Sequence, residues 1–322
     1  MHMSDALVSP TVAAVAGIAA LALAGTAMRK LRPRSGLHAD SEADERIVPL
    51  MGVMGAFVFA AQMINFAVPG TGSSGHIVGG ILLAALLGPW AALLTLSSVL
   101  VLQCLLFADG GFLALGCNIL NMAVLSCLVA YPLVFRPMMR PDASPARIFA
   151  ASMLASVAAL LLGALAVTLE TEASGITALP IGRFLLFMLP IHLAIGIGEG
   201  LATGAVLCAV RRYRPRLLAE QAAGKGFRKS LVVVAMAALL VGGSFSWLAS
   251  SRPDGLEWSI ERTSGEAEIA APPDEIHRAT AALQETTAAL PDYDTSAAGL
   301  AGCGVLLAAA WAAAQLLRAR QR

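Results

Sequence analysis

The sequence predicts an all-α integral membrane protein. Of its 322 residues, 57% are hydrophobic and only 13% are charged, and the mean hydropathy is +0.75. Long apolar runs recur along the chain, and most reach the roughly 20 residues that a helix needs to cross a bilayer. They predict helices at 10–23 (continuing to Met28), 47–64, 77–87, 89–107, 112–135, 146–168, 182–210, 230–249 and 297–317.

The third run, 77–87, is short and is followed directly by Gly88-Pro89. Because proline interrupts a helix, we expect 77–87 to form a half-helix or a steep span. The fold is therefore expected to contain about seven transmembrane helices and a C-terminal two-helix hairpin. The loop inside this hairpin, 250–295, is rich in Pro, Glu, Asp, Thr and Ser.

Composition divides the chain into three parts. Residues 1–212 form a dense series of apolar runs with short connections, and residues 213–229 form a basic linker that contains Gly224 and Gly226. Residues 230–322 hold the two-span hairpin. These changes in composition predict an accessory module fused to a membrane domain.

Basic residues alternate between the predicted loops. Most of the 22 lysines and arginines lie at 29–46, 136–147, 211–229 and the C-terminal end. By the positive-inside rule, these segments face the cytoplasm. We therefore expect a multi-pass protein of the cell inner (plasma) membrane, in contact with its lipids, with the N-terminus outside and the C-terminus cytoplasmic. The five cysteines all lie in apolar runs and are expected to be small buried hydrophobic residues.

The first two residues form a candidate chelate. No basic region followed by a cleavable apolar core precedes His2, so we expect it to remain the second residue. The Met1 amine, the His2 amide nitrogen and the His2 imidazole can then close adjacent five- and six-membered rings around one ion. Such a planar nitrogen set favours Ni(II) or Cu(II), with Co(II) possible. The alternative is a frayed terminus in which the histidine has no role.

A fourth nitrogen is available on the same predicted face of the membrane. His76 ends the segment 65–76, whose glycines and proline allow a close approach of the backbone. The alternative is that His76 anchors a helix at the interface. Asn65, Ser73 and Ser74 either orient His76 or satisfy the local backbone as turn residues.

Several motifs, found in this order, resemble the CbiM/NikM family. They are the opening Met1 to Pro10, the segment Asn65 to His76, Gly88-Pro89-Trp90, Phe107 to Gly111, Gly116 to Met122, and Pro190 to Gly200. This resemblance covers about residues 1–212. The stretch Ser251 to Ser259, with the letters SRPDGLEWS, resembles the NikN/PDGLE type of accessory module. The whole chain is thus similar to fused NikMN proteins.

The resemblance implies the substrate-binding component of an energy-coupling factor (ECF) transporter for nickel or cobalt. It implies that the ion is held by the Met1 amine, the His2 amide and imidazole nitrogens, and the His76 imidazole. Met3, Ser4 and Ala6 depart from the commoner family opening His-Ile-Pro-Asp-Gly, but none of them supplies a ligand. Ni(II) or Co(II) is then the transported substrate, with no permanent cofactor.

The partners that the resemblance implies are two ATPase subunits and a transmembrane coupling (T) subunit. The chain has no GxxxxGK[ST] phosphate loop, so ATP hydrolysis is expected on other chains. We expect no enzymatic activity in this chain and no nucleic-acid partner. Nickel is favoured over cobalt because a planar nitrogen field suits Ni(II) and because the PDGLE-type tail points the same way.

Other functions remain open from the sequence. A cobalt-specific transporter of the CbiMN type is one. A secondary metal transporter is another, with Glu199 as its coupling residue. An intramembrane serine protease is a third, since Gly72-Ser73-Ser74-Gly75 resembles the rhomboid nucleophile motif and His192 is a candidate base for Ser74. We favour structural roles for His192 and Glu199, as polar contacts within the membrane, and interhelical or helix-end hydrogen bonds for Asp109, Asn118 and Asn121.

The tail's outer loop carries many carboxylates but only one imidazole, that of His277. Carboxylates are hard ligands that bind Ni(II) with little selectivity. We therefore expect the tail to assist loading or release of the ion rather than to hold it.

Overall fold

The computed structural model describes residues 1–31, 41–140, 142–213, 225–244, 250–266, 268–291 and 296–321. Most of the predicted linker, at 214–224, lies outside the described residues. So do the basic residues Arg32, Arg34, Arg214, Arg216 and Arg322.

The described chain is almost entirely helical, which confirms the predicted class of an all-α membrane protein. Six helices are long and apolar enough to cross a membrane, and two further apolar helices, Ile47–Gln62 and Lys229–Ser244, are shorter. We number the helices α1 (Pro10–Lys30), α2 (Ser41–Gln62), α3 (Gly80–Leu87), α4 (Pro89–Phe107), α5 (Leu115–Met138), α6 (Pro145–Ser174), α7 (Ile181–Tyr213), α8 (Lys225–Ser244), α9 (Gly255–Ser264), α10 (Glu275–Thr287) and α11 (Ser296–Gln321).

Local sequence signals explain several helix boundaries. Helix α1 begins after Ser9, whose side chain accepts a hydrogen bond from the Val12 amide, and α6 begins after Ser144 in the same way. The short helix α3 lies between Gly79 and Gly88, which both have φ of 79°. A positive φ strains residues other than glycine, so Gly79 and Gly88 set the two ends of this eight-residue helix. The prediction of a short helix at this position is confirmed.

Two predicted loops contain more structure than expected. Helix α6 continues through the predicted outer loop 169–181 as far as Ser174, where Gly175 ends it in the left-handed conformation. The loop 250–295 contains α9 and α10, each started by an aspartate that accepts backbone N–H groups. These polar helices have no long apolar run, so hydropathy did not reveal them.

The C-terminal hairpin is packed against the first seven helices. Both of its long helices, α8 and α11, contact α2, while α9 contacts α7. Small residues allow this approach: a Cβ on Gly302 would lie 2.1 Å from the Phe59 ring, and one on Gly299 would lie 2.1 Å from the Gly242 carbonyl oxygen. The predicted accessory module is therefore in close contact with the membrane domain, and the segment between its two long helices reaches the N-terminal segment.

Candidate metal centre

The first eight residues are built into the protein. Met1 is 3% exposed, and Met3 is completely buried. The Met3 amide donates to Asn118 Oδ1 at 2.8 Å, and Asn118 Nδ2 donates back to the Met3 carbonyl at 3.1 Å. The Gly111 amide also donates to the Met3 carbonyl, at 2.8 Å. Asn118 therefore fixes the N-terminal segment, a role that the sequence did not reveal.

A second set of contacts holds the segment after Met3. The Ala114 amide donates to Asp5 Oδ1 at 3.0 Å. His277 Nε2 lies 3.2 Å from both the Asp5 and Val8 carbonyl oxygens, while its Nδ1 lies 2.6 Å from Asp274. His277 belongs to the loop 250–295 of the hairpin, yet it is only 2% exposed. The C-terminal module thus binds the N-terminal segment directly.

The glycine-rich segment places His76. Strands β1 (Phe66–Ala67) and β2 (Ser74–Gly75) pair antiparallel, and Gly70 and Gly72 have positive φ in the turn between them. Directly after His76, the Val78 and Gly79 amides donate to the Glu199 carboxylate at 2.9 and 3.1 Å. Glu199 therefore holds the chain next to His76 from within the membrane domain, in agreement with the structural role favoured from the sequence.

The predicted ligand residues come together. The Met1 amine lies 3.2 Å from His76 Nε2. The His2 ring stacks on the His76 ring, with centroids 5.2 Å apart and an angle of 17° between the planes. His2 Nδ1 lies 3.1 Å from Asp109 Oδ1. Residues 75 positions apart in the sequence thus form one cluster of nitrogen atoms.

Both imidazoles lie outside the membrane-spanning helices, and their pKa values are low. Burial, together with the smaller effect of the nearby N-terminal ammonium, lowers the pKa of His2 and of His76 from 6.5 to about 3. Neutral imidazole is the form that binds metal ions. At neutral pH the two rings therefore need not lose a proton before they bind an ion.

An acidic residue of the C-terminal module completes the cluster. Asp254 Oδ2 lies 2.6 Å from the Met1 amine. Burial alone would favour its neutral form, but the adjacent ammonium and His76 hold the pKa of Asp254 below its usual range. Asp254 Oδ1 also accepts the Leu256 and Glu257 amides as the N-cap of α9. The sequence Asp-Gly-Leu-Glu has the spacing of a capping box. This motif predicts where α9 begins, but it does not predict the ion pair between Asp254 and the Met1 amine.

Two of the three residues considered for orienting His76, Ser73 and Ser74, use their hydroxyl groups to contact backbone carbonyls. The Ser74 hydroxyl donates to the Arg252 carbonyl at 2.8 Å, and the Ser73 hydroxyl to the Ser74 and Pro253 carbonyls at 3.1 and 3.3 Å. The main-chain carbonyl of Asn65 accepts a hydrogen bond from the Ser250 amide at 2.7 Å. These three residues attach the glycine-rich segment to residues 250–253 of the C-terminal module.

The proposed protease pair is not assembled. The Ser74 hydroxyl is directed to backbone carbonyls of the C-terminal module, and His192 Nδ1 lies 2.8 Å from the Met188 carbonyl. Within the described ranges, His192 Nε2 has no hydrogen-bond partner. A serine nucleophile needs a base that accepts its proton. In the described structure, Ser74 is therefore not activated by His192.

Side chains alone do not form a metal site in the described part of the chain, where no group of three or more His, Cys, Asp or Glu is arranged to hold an ion. A metal site at the N-terminal cluster must therefore use main-chain nitrogen. The Met1 amine and the His2 amide are the atoms available for this.

Comparison with known proteins gives a consistent assignment. The family described as a cobalt uptake substrate-specific transmembrane region, CbiM, matches residues 2–217, and the PDGLE domain matches residues 228–319. The fused nickel transport protein NikMN of Rhodobacter capsulatus is 33% identical over 96% of this chain and 93% of its own length. The cobalt transport protein CbiM of Sorangium cellulosum is 30% identical over 68% of this chain and 94% of its own length.

A solved structure supports the same assignment. The crystal structure of a transition metal transporter has a TM-score of 0.55 and 29% identity, and it covers 66% of this chain and 93% of its own. The family resemblance inferred from the sequence motifs is thus confirmed. The chain belongs to the CbiM family of substrate-specific transmembrane regions, in the fused form that carries a PDGLE domain.

Proposed function

We propose that the chain is the substrate-binding component of an ATP-driven ECF-type uptake transporter for a divalent transition metal ion. One observation carries the proposal: the Met1 amine lies 3.2 Å from His76 Nε2, and the His2 ring is stacked on the His76 ring. This proximity supports the binding of one ion by Met1, His2 and His76 together. The names of the relatives as transport proteins support a role in transport rather than catalysis.

The proposed ligands are four nitrogen atoms. The Met1 amine, the His2 amide and His2 Nδ1 form the two fused rings, and His76 Nε2 completes a plane. His2 Nδ1 faces Asp109 at 3.1 Å. The ion therefore replaces Asp109 at this nitrogen when it binds. Binding also requires the amine and the amide to lose protons, so it releases protons to the solvent.

Nickel is the favoured substrate. A planar set of four nitrogen atoms suits Ni(II), whereas Zn(II) prefers a tetrahedral set and Mg(II) prefers oxygen ligands. The relative that aligns with 96% of this chain is named as a nickel transport protein, while the cobalt transport protein aligns with 68%. Cobalt is the second candidate, since the two ions share ligand preferences.

The energy source lies on other chains in this proposal. The sequence contains no GxxxxGK[ST] phosphate loop. ATPase subunits and a transmembrane coupling subunit are therefore the expected partners. The N-terminus and the metal centre face outward, where the ion is captured, and the C-terminus faces the cytoplasm.

The C-terminal module, residues 230–322, assists loading and release in this proposal. Its residues 250–258 cover the metal centre: Asp254 pairs with the Met1 amine, and Trp258 Nε1 donates to the Thr71 carbonyl at 3.0 Å. An ion that enters or leaves must pass this cover. A carboxylate at its inner surface attracts cations and can compensate the charge of the bound ion.

Metal analysis tests the proposal directly. The full chain is purified once with a C-terminal tag and a native N-terminus, and once with a histidine-free N-terminal extension that blocks the amine. We expect about one nickel per chain, with the absorption bands of a planar nitrogen site, only in the native form. Equal metal content in both forms contradicts the proposed ligand set.

A further inference from the structure

One more imidazole nitrogen faces the proposed metal centre. His192 lies within α7, about 16 Å along the helix from its first residue, Ile181. It is buried, with only 1% of its surface exposed. A cavity of about 10 Å³ lies against it, and Met1, His76 and Asp254 line the same cavity. This volume accommodates a particle about the size of one water molecule.

The hydrogen bonding of His192, which lines this cavity, leaves a lone pair free on one ring nitrogen. Its Nδ1 lies 2.8 Å from the Met188 carbonyl oxygen, which can only accept, so Nδ1 carries the hydrogen. In the neutral ring the lone pair is then on Nε2. Among the described residues no hydrogen-bond partner meets this atom. A histidine whose other nitrogen donates to a backbone carbonyl is oriented in the way that metal-binding histidines usually are.

The C-terminal module closes the cavity from the other side. A Cβ on Gly255 would lie 3.3 Å from His192 Nε2 and 2.7 Å from Ile195 Cδ1, so a larger residue here would require both side chains to shift. Gly255 follows Asp254, the partner of the Met1 amine. The same turn therefore covers both the Met1 amine and the His192 ring.

A planar four-nitrogen site holds its ion tightly, which creates a difficulty for a transport protein that must release it. Planar Ni(II) and Cu(II) complexes exchange ligands mainly by association: a fifth donor binds first, and one of the original four then leaves. A buried site with Met1 3% exposed gives solvent little access to supply that donor. A fixed lone pair beside the site can supply it instead.

We propose that His192 Nε2 is this fifth donor, the nitrogen that binds the ion as the planar site opens. The inference rests on the proposed function and adds a ligand to it. A bond forms between the ion and His192 Nε2, and the bond to the His2 amide nitrogen then breaks. The amide takes up one proton from the solvent, which reverses the release of that proton on binding, and the ion keeps its +2 charge. His192 thus takes part in release of the ion and contributes little to the resting complex.

Two variants at His192 and one matched control test the proposal in the full chain with a native N-terminus. His192→Gln keeps a polar side chain, and His192→Leu removes it. Thr203→Val is the control, because Thr203 lies on the same helix, is buried, and has an Oγ1 without a partner in the described residues. Each protein is loaded with Ni(II), and the rate of its transfer to excess EDTA is followed by the absorbance of the planar site.

We expect the absorption spectrum to be unchanged and the release rate to fall at least about tenfold in both His192 variants, with Thr203→Val like the wild type. The direction of the change is decisive, because loosened packing would speed release. Release as fast as in the control, or faster, in both His192 variants overturns the proposal. If the wild type itself lacks the planar nitrogen spectrum, the proposed function fails, and this inference fails with it.

Discussion

The amine of Met1 and the carboxylate of Asp254 form an ion pair of 2.6 Å between residues 253 positions apart. The pair joins the N-terminal segment to the PDGLE domain, residues 228–319. It lies beside His76 Nε2, 3.2 Å from the same amine. A carboxylate from the second module is thus in contact with one of the proposed metal ligands.

The charge of Asp254 should contribute to metal affinity. We expect Asp254→Asn to weaken Ni(II) binding at least about tenfold, because the buried complex then lacks a counter-charge. Asparagine is as good an N-cap as aspartate, so α9 should persist. Calorimetric titration measures the effect, with Glu261→Gln, an exposed carboxylate on the same helix, as control. Affinity equal to that of the control would show that the ion pair is unimportant for binding.

Among the histidines that could bind the ion through the side chain alone, His76 should be the one whose substitution lowers Ni(II) affinity most. We expect His76→Gly to reduce Ni(II) affinity by orders of magnitude and added imidazole to restore part of it, since the free ring can occupy the vacated space. His38→Ala, in the predicted cytoplasmic loop 29–46, serves as the control. His277→Ala is unsuitable for this purpose, because His277 contacts the carbonyls of Asp5 and Val8. An unchanged planar spectrum in His76→Gly would exclude His76 as a ligand.

The metal-free protein should lose stability on acidification. The pKa of His2 and of His76 is lowered from 6.5 to about 3, so between these values the unfolded chain binds protons that the folded chain does not. Stability therefore falls as the pH falls through this window, by up to about 1.4 kcal/mol per pH unit for each imidazole. The lowered pKa of Asp254 acts in the same direction but only below about pH 4, since its stabilising effect is complete above its usual value of 3.8.

Thermal melting in detergent between pH 7.5 and 4.5 measures this dependence. We expect the melting temperature of the wild type to fall steadily over this range, and that of His76→Gln to fall less. If the melting temperatures of the two proteins fall in parallel, the buried His76 is not responsible for the loss of stability at low pH. The lowered pKa values of His2 and His76 also affect metal binding. Protonation of an exposed histidine would compete with the metal near pH 6.5, whereas protonation of these two imidazoles should compete only at a lower pH.

Removal of the C-terminal module should slow uptake of the ion, while the remaining chain still binds it. A chain that ends at residue 212 keeps the four proposed nitrogen ligands but loses Asp254. We expect it to retain one Ni(II) with the same planar spectrum and an affinity reduced at least as much as in Asp254→Asn. Uptake by cells that supply the ATPase and coupling subunits should be slower. Loss of the planar spectrum in a folded truncated chain would place a residue of the tail among the ligands.

Labelling of cysteines in intact cells tests the orientation. A cysteine at Glu266, which is exposed in the outer loop, should react with an impermeant reagent, and one at Arg147, exposed at the start of α6, should react only after lysis. The native cysteines are suitable as background because four are buried and Cys208 is half-buried. The reverse pattern would invert the topology derived from the basic loops.

The sequence alone determined the class of fold and suggested the chemistry that we propose for the centre. Apolar runs predict membrane helices because hydropathy is a local property of the sequence. Gly88 and Pro89 likewise predict the end of the short helix α3. A histidine directly after an amine defines a chelate by covalent geometry, so its atoms and its preferred ions follow from two residues. The same local reading missed α9 and α10, whose polar faces produce no apolar run.

Only the tertiary structure decided what surrounds these atoms. Asp254 and His277 reach the N-terminal segment across more than 250 positions, and no periodicity in the chain reports contacts at that distance. Asn118 and Glu199 are polar residues in apolar helices, and their partners, Met3 and the amides after His76, become known only when the helices are packed. The low pKa values of His2 and His76 likewise depend on burial, a property of the folded protein. The proposed chelate of Met1 and His2 is therefore local and readable from the sequence, whereas the counter-charge, the cover and the environment of the proposed site arise from packing between distant segments.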